Sequence, residues 1–212
     1  MKALNVAGYS AKEEIANSLS HALGVILSLI GLAYLLFHAF ELRSLSLALT
    51  YTVYGISLTS LYLASTLYHH AKTNELKLKL KKLDHICIYY LIAGSYTPLM
   101  INTVGGFKGN LITAAVWSIA AFGTYYKLFV KNQNKFISVS TYLVMGWLVV
   151  FFYPTVKSAM SPVSLDLLIS GGLCYTGGVV FYLLKKVPYT HAIWHLCVLA
   201  GSVLHFFSVL LA

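Results

Sequence analysis

Apolar residues run through this chain in long continuous stretches, neither alternating with polar ones nor confined to one helical stripe. Crossing the hydrocarbon core of a bilayer takes about 20 mostly apolar residues. Seven stretches qualify, at approximately 17–38, 45–68, 84–103, 110–130, 136–153, 163–184 and 191–211. Turn-rich or charged segments bound them, among them Glu41-Leu42-Arg43-Ser44, Thr103-Val104-Gly105-Gly106, Lys131-Asn132-Gln133-Asn134, Pro154, Pro162 and Pro188. The pattern predicts an all-α polytopic membrane protein with seven transmembrane helices. Residues 1–212 form a single domain with short connections. A β-barrel is excluded because its strands would alternate apolar and polar residues. Met1–Ser18 lacks the short apolar core and cleavage site of a removable leader.

Composition strengthens this picture. Apolar residues are 58% of the chain and charged ones 10%, where soluble domains carry about 25% charged residues. A soluble fold of this size could not bury so much apolar surface. Cys87, Cys174 and Cys197 each lie inside an apolar stretch without CxxC spacing, and read as buried small hydrophobes. No lysine occurs in 191–211, so a retinal Schiff base there is excluded.

The net charge of +9 could suggest nucleic acid, but its distribution assigns it to topology. Twelve basic residues, Lys2, Lys12, Lys72, Lys77, Lys79, Lys81, Lys82, Lys127, Lys131, Lys135, Lys185 and Lys186, fall on one side of the seven-span arrangement, and Arg43, Lys108 and Lys157 on the other. The positive-inside rule then puts the N-terminus in the cytoplasm and the C-terminus outside. No nucleic-acid partner is needed. The Lys77–Lys82 run reads as a solvated, orienting loop that can also meet anionic headgroups.

Ionisable residues in or beside spans are expensive and become functional candidates. The second span ends at the cytoplasmic side with Tyr68-His69-His70, the third opens there with Asp84, and the seventh opens there with His191 and His195. Three distant elements thus deliver histidines and a carboxylate to one leaflet. His191 and His195 are four apart and stack on one helix face; Ser65 and His69 share that spacing. Three imidazoles with an open fourth position suit tetrahedral zinc. The pair lacks the glutamate of H-E-x-x-H, so a general base must come from another helix, and Asp84 is read as the only carboxylate at that depth. His205 lies fourteen residues after His191, about 21 Å along the axis, and belongs to an outer-side contact. Asn17 and His21 suit a supporting role beside the site or a plain interhelical hydrogen bond. His70 and His85 are rim residues, with His70 the reserve ligand. Asp166 and His38 lie towards the outer side. Pro98 is expected to kink the third span, and Gly94, Gly171, Gly172, Gly177 and Gly178 to permit close helix approach.

At these residues the chain resembles the bacterial hemolysin III family, which groups with the progestin and adipoQ receptors and, more distantly, the alkaline ceramidases. Glu14-Ile15-Ala16-Asn17-Ser18-Leu19-Ser20-His21, Ser65-Thr66-Leu67-Tyr68-His69, Leu83-Asp84-His85, Ala93-Gly94-Ser95-Tyr96-Thr97-Pro98 and His191-Ala192-Ile193-Trp194-His195, continuing through Gly201-Ser202 to His205-Phe206, carry the resemblance. It implies seven helices around zinc held by His69, His191 and His195, with Asp84 and Ser65 beside the bound water. The long N-terminal region of the animal receptors is missing, so hormone signalling is not inherited. Three functions compete: a zinc-dependent hydrolase of lipid amides or esters, a regulator of membrane lipid state with structural zinc, and the pore-forming haemolysin of the family name. The expected partners are membrane lipids, with an acyl-chain lipid as ligand or substrate. The expected location is the bacterial cytoplasmic membrane.

Overall fold

A computed structural model describes residues 8–184 and 187–212. Lys2, Lys185 and Lys186, which count towards the cytoplasmic charge, lie outside the described residues. The chain is helical, with no strand among the described residues. In order it forms α1 (Ala11–Glu41), α2 (Leu45–His70), α3 (Asn74–Pro98), α4 (Gly106–Phe129), α5 (Lys135–Gly146), α6 (Tyr153–Ala159), α7 (Pro162–Leu183) and α8 (Thr190–Leu210). A π turn (Leu99–Val104) joins α3 to α4, and a 3-10 stretch (Trp147–Phe152) joins α5 to α6. Packing runs α1 on α2, α2 on α3, α3 on α4 and α7 on α8, and α8 returns to α1, so the first and last helices close a ring.

Among the described residues, five segments are long and apolar enough to cross a membrane: α1, α2, the α5–α6 unit over Lys135–Ala159, α7 and α8. The polarity of α1 is inverted relative to a soluble helix. It buries Glu14, Asn17, His21 and Ser28, while Ile15, Leu19, Ile26, Ile30 and Phe37 stand exposed. Apolar surface outside and polar groups inside are what a lipid solvent selects. The chain is an integral membrane protein.

Two elements depart from the sequence reading. The third span was expected over 84–103, after a loop at 70–83, but α3 begins at Asn74 and leaves only Ala71–Thr73 as connection. Its first half carries Glu75, Lys77, Lys79, Lys81 and Lys82, so helix outlasts apolarity by about two and a half turns. The fifth span, expected to stop at 153, continues to Ala159. Pro154 near the start of α6 has no N–H for the Val150 carbonyl, and the Tyr153 N–H takes it instead with 3-10 spacing. Tyr96 braces this stretch from α3, donating to the Gly146 carbonyl (2.8 Å) and accepting from the Val149 N–H (2.9 Å).

Past Pro98, α3 opens into the π turn. Asn102 steadies it, donating to Thr50 Oγ1 (2.6 Å) and accepting from Ser46 Oγ (2.6 Å) on α2. Gly105, at φ 65°, ends the turn with its N–H on the Met100 carbonyl. Gly109 lies so close that a Cβ there would overlap Met100 O.

Candidate metal centre

The end of α2 and the start of α8 bring three histidines together. His69 stands in the last turn of α2, and His191 and His195 in the first turns of α8; all three are buried. One nitrogen from each lies within 4.8 Å of the others, and His191 Nε2 is 3.3 Å from His69 Nε2. The ring centroids are 4.6–5.1 Å apart. Such a group could hold a metal ion.

The backs of the ligands are fixed by α1. Glu14 Oε2 lies 2.6 Å from His69 Nδ1, and its other oxygen pairs with Lys77 Nζ at 2.8 Å. His195 Nδ1 is 3.0 Å from the Asn17 carbonyl, which can only accept, so Nδ1 carries the proton and Nε2 offers its lone pair. That Nε2 is buried and has no hydrogen-bond partner among the described residues. An orphaned nitrogen beside two other imidazoles fits a site built for a cation. His21 lies flat against His195, with ring centroids 3.5 Å apart and planes 14° off parallel. Tyr9, ahead of α1, covers the cluster with its ring 4.8 Å from His191. Burial and the nearby Tyr182, Glu14 and Glu13 push the Tyr9 phenol well above its ordinary pKa, so it stays neutral.

A model of the family described as "Haemolysin-III related" matches residues 9–206. The chain belongs to that family. It is 40% identical over 205 residues to the hemolysin-3 homolog of Bacillus subtilis (strain 168), covering 95% of each chain. It is 41% identical over 201 residues to the hemolysin-3 of Bacillus cereus, covering 94% of this chain and 91% of that one. It is 31% identical over 206 residues to the monocyte to macrophage differentiation factor of Homo sapiens, covering 93% and 83%.

Of the five residues singled out in this haemolysin-III-related chain, the three histidines are the group that could hold a metal ion, and Asp84 and Ser65 are not members of it. Asp84, 4% exposed, is not among the grouped ligands. With His21, Tyr182 and Trp194 it lines an interior cavity of about 140 Å³. Ser65 is fully buried next to the Asp84 carboxyl without a hydrogen bond of ordinary geometry. His70, the reserve ligand, is exposed and turned away. His205 takes no part, donating instead to the Leu168 carbonyl (3.1 Å).

Two expectations are corrected. Asp84 is not the only carboxylate at this depth: Glu14 is closer to the ligands and touches one of them. Lys77 is not a solvated loop residue; it is 4% exposed, ion-paired to Glu14 and 5.2 Å from the Tyr68 ring. The missed signal was periodicity. Glu14, Asn17, His21, Gly24 and Ser28 recur at spacings of three and four, a buried stripe of mainly polar residues along a helix that is mostly apolar.

Proposed function

We propose that this chain is a seven-span zinc protein of the bacterial cytoplasmic membrane, serving lipid homeostasis by hydrolysing an amide or ester bond in an acyl-chain lipid. The two remaining spans are α3 and α4, whose lysines and small polar residues dilute helices of 25 and 24 residues. The observation that carries the reading is the convergence of three buried imidazoles beside an apolar cavity walled by Asp84. Two nitrogens about 2.0–2.1 Å from one tetrahedral ion stand about 3.3 Å apart, which agrees with the 3.3 Å between His191 Nε2 and His69 Nε2.

His69, His191 and His195 hold the metal through neutral imidazole. Glu14 and the Asn17 carbonyl orient the first and the last. Zinc, when bound, supplies Lewis acidity and lowers the pKa of a water ligand towards about 7. Asp84 accepts a proton as water adds to the carbonyl carbon, and Ser65 donates a hydrogen bond to the oxygen that gains charge. The C–N or C–O bond then breaks, and Asp84 returns the proton to the leaving amine or alcohol. The cavity's apolar walls suit a hydrocarbon chain and exclude bulk water.

A second reading, a regulator of membrane state with structural zinc, is favoured by the same ligands, because they tie α2 to α8 while α1 supports both. The test is lipid analysis by mass spectrometry after incubating membranes with purified, zinc-loaded protein. Release of a fatty acid by the wild type and not by Asp84→Asn at equal zinc content supports the hydrolase. No release with intact zinc content turns the assignment to the regulator.

A further inference from the structure

His205 is a half-buried polar side chain that the reaction does not use. On α8 it lies ten residues beyond His195, about 15 Å along the axis at 1.5 Å per residue. Its Nε2 is 3.1 Å from the Leu168 carbonyl of α7. A carbonyl only accepts, so Nε2 carries the proton and Nδ1 is a bare acceptor.

Packing fixes the ring in that orientation. A Cβ at Gly171 would overlap His205 Cδ2, so the missing side chain is what lets the ring approach α7. Tyr175 closes edge-on at 5.2 Å between centroids, and its hydroxyl is tied to Ser202 Oγ at 2.7 Å. Nε2 and Cδ2 both face α7, which turns the opposite side of the ring, with Nδ1, away from it. No described residue hydrogen-bonds that nitrogen. The ring is half-buried, and it lines both the cavity that contains Asp84 and an adjoining cavity of about 280 Å³ towards the outer end. The two share Ser95, Tyr96, Trp147 and Gly172 on their walls. A lone acceptor in so apolar a space selects a hydrogen-bond donor, since ligand entry without one leaves it bare.

We propose that His205 is a ligand-recognition residue that accepts a hydrogen bond from a hydroxyl carried mid-chain on a long acyl lipid whose carbonyl end lies at the histidine cluster. This rests on the reading of the cavity as an acyl-chain site, and adds a position along the chain at which a hydroxyl is selected. The spacing of about 15 Å excludes hydroxyls next to the carbonyl.

The experiment compares binding of octadecanoic, 3-hydroxyoctadecanoic and 12-hydroxyoctadecanoic acids to the purified full-length protein, by displacement of a fluorescent fatty acid. The 12-hydroxy acid should bind about 5–10-fold more tightly than octadecanoic acid, the worth of one net hydrogen bond. The 3-hydroxy acid should gain nothing. His205→Phe should lose the 12-hydroxy preference, and Gly171→Ala, which displaces the ring, should lose it too. Equal wild-type affinities for the three acids, or a preference that survives His205→Phe, overturn the His205 assignment while leaving the acyl-chain cavity standing. Failure of all three acids to bind overturns both. The wild-type comparison decides the matter even if neither variant folds.

Discussion

Glu14 and His69, 55 residues apart in the chain, meet at 2.6 Å between carboxylate oxygen and ring nitrogen. The contact sets which nitrogen of His69 faces inward, because a carboxylate on Nδ1 leaves Nε2 for the cluster. Lys77 on the opposite carboxylate oxygen holds Glu14 in place. Glu14→Gln should therefore keep the fold and weaken zinc binding by about 10–100-fold, the usual effect of removing a partner behind a metal ligand. Competition with a chelator of known affinity measures it.

Zinc content follows from the three histidines. The wild-type protein should carry about one zinc per chain by elemental analysis, and His191→Ala or His195→Ala should reduce this to background. His70→Ala should leave it unchanged, because His70 is exposed while His69 faces the cluster. Chelation should also lower thermal stability, since an ion bound only by the folded chain stabilises it by mass action.

Asp84→Asn separates chemistry from structure. The amide matches the carboxylate in size but cannot take a proton, so turnover should fall by a factor on the order of 10²–10⁴ while zinc content stays at the wild-type level. Parallel assays of released fatty acid and bound zinc read the two quantities. Full complementation of a membrane-fluidity defect by this variant would count against hydrolysis.

Gly109→Ala should be among the more damaging small substitutions. Its methyl group would overlap the Met100 carbonyl at the start of the π turn, and backbone cannot step aside as a side chain end does. A loss of about 3 kcal/mol is expected, read as a lowered melting temperature in detergent.

Topology is checked with reporters. A fusion after Ala212 should report the outside, and a label in the Ala71–Thr73 connection should be reachable from the cytoplasm. A cytoplasmic Ala212 would be incompatible with seven crossings.

The metal group was legible because its signal is local: the His191–His195 spacing is one helical turn, and the position of His69 at a span end follows from counting apolar residues. Glu14 was not legible by the same logic. Its partner sits on another helix, and its neighbours Lys12 and Glu13 make it look like part of a solvated N-terminus. Lys77 was hidden similarly inside a run of lysines, although only the helical phase of α3 decides which of them turns inward. The long reach of α3 below Asp84 was missed because hydropathy marks where a helix becomes polar, not where its backbone hydrogen bonds stop. Tyr96 stood out only as part of the Ala93–Pro98 motif; its hold on Gly146 and Val149 exists only once α3 and α5 pack.

His69 and His191 are 122 residues apart, and α8 follows the other described helices in chain order. A growing chain therefore carries one of the three histidines through most of its synthesis, with Glu14 and Lys77 able to pair early. The other two arrive only when α8 has entered the membrane and docked against α1. An ion held by all three histidines would therefore be captured only after α8 is in place. A chain stalled or cut before Thr190 would display its earlier helices and lack His191 and His195, and is expected to retain no ion.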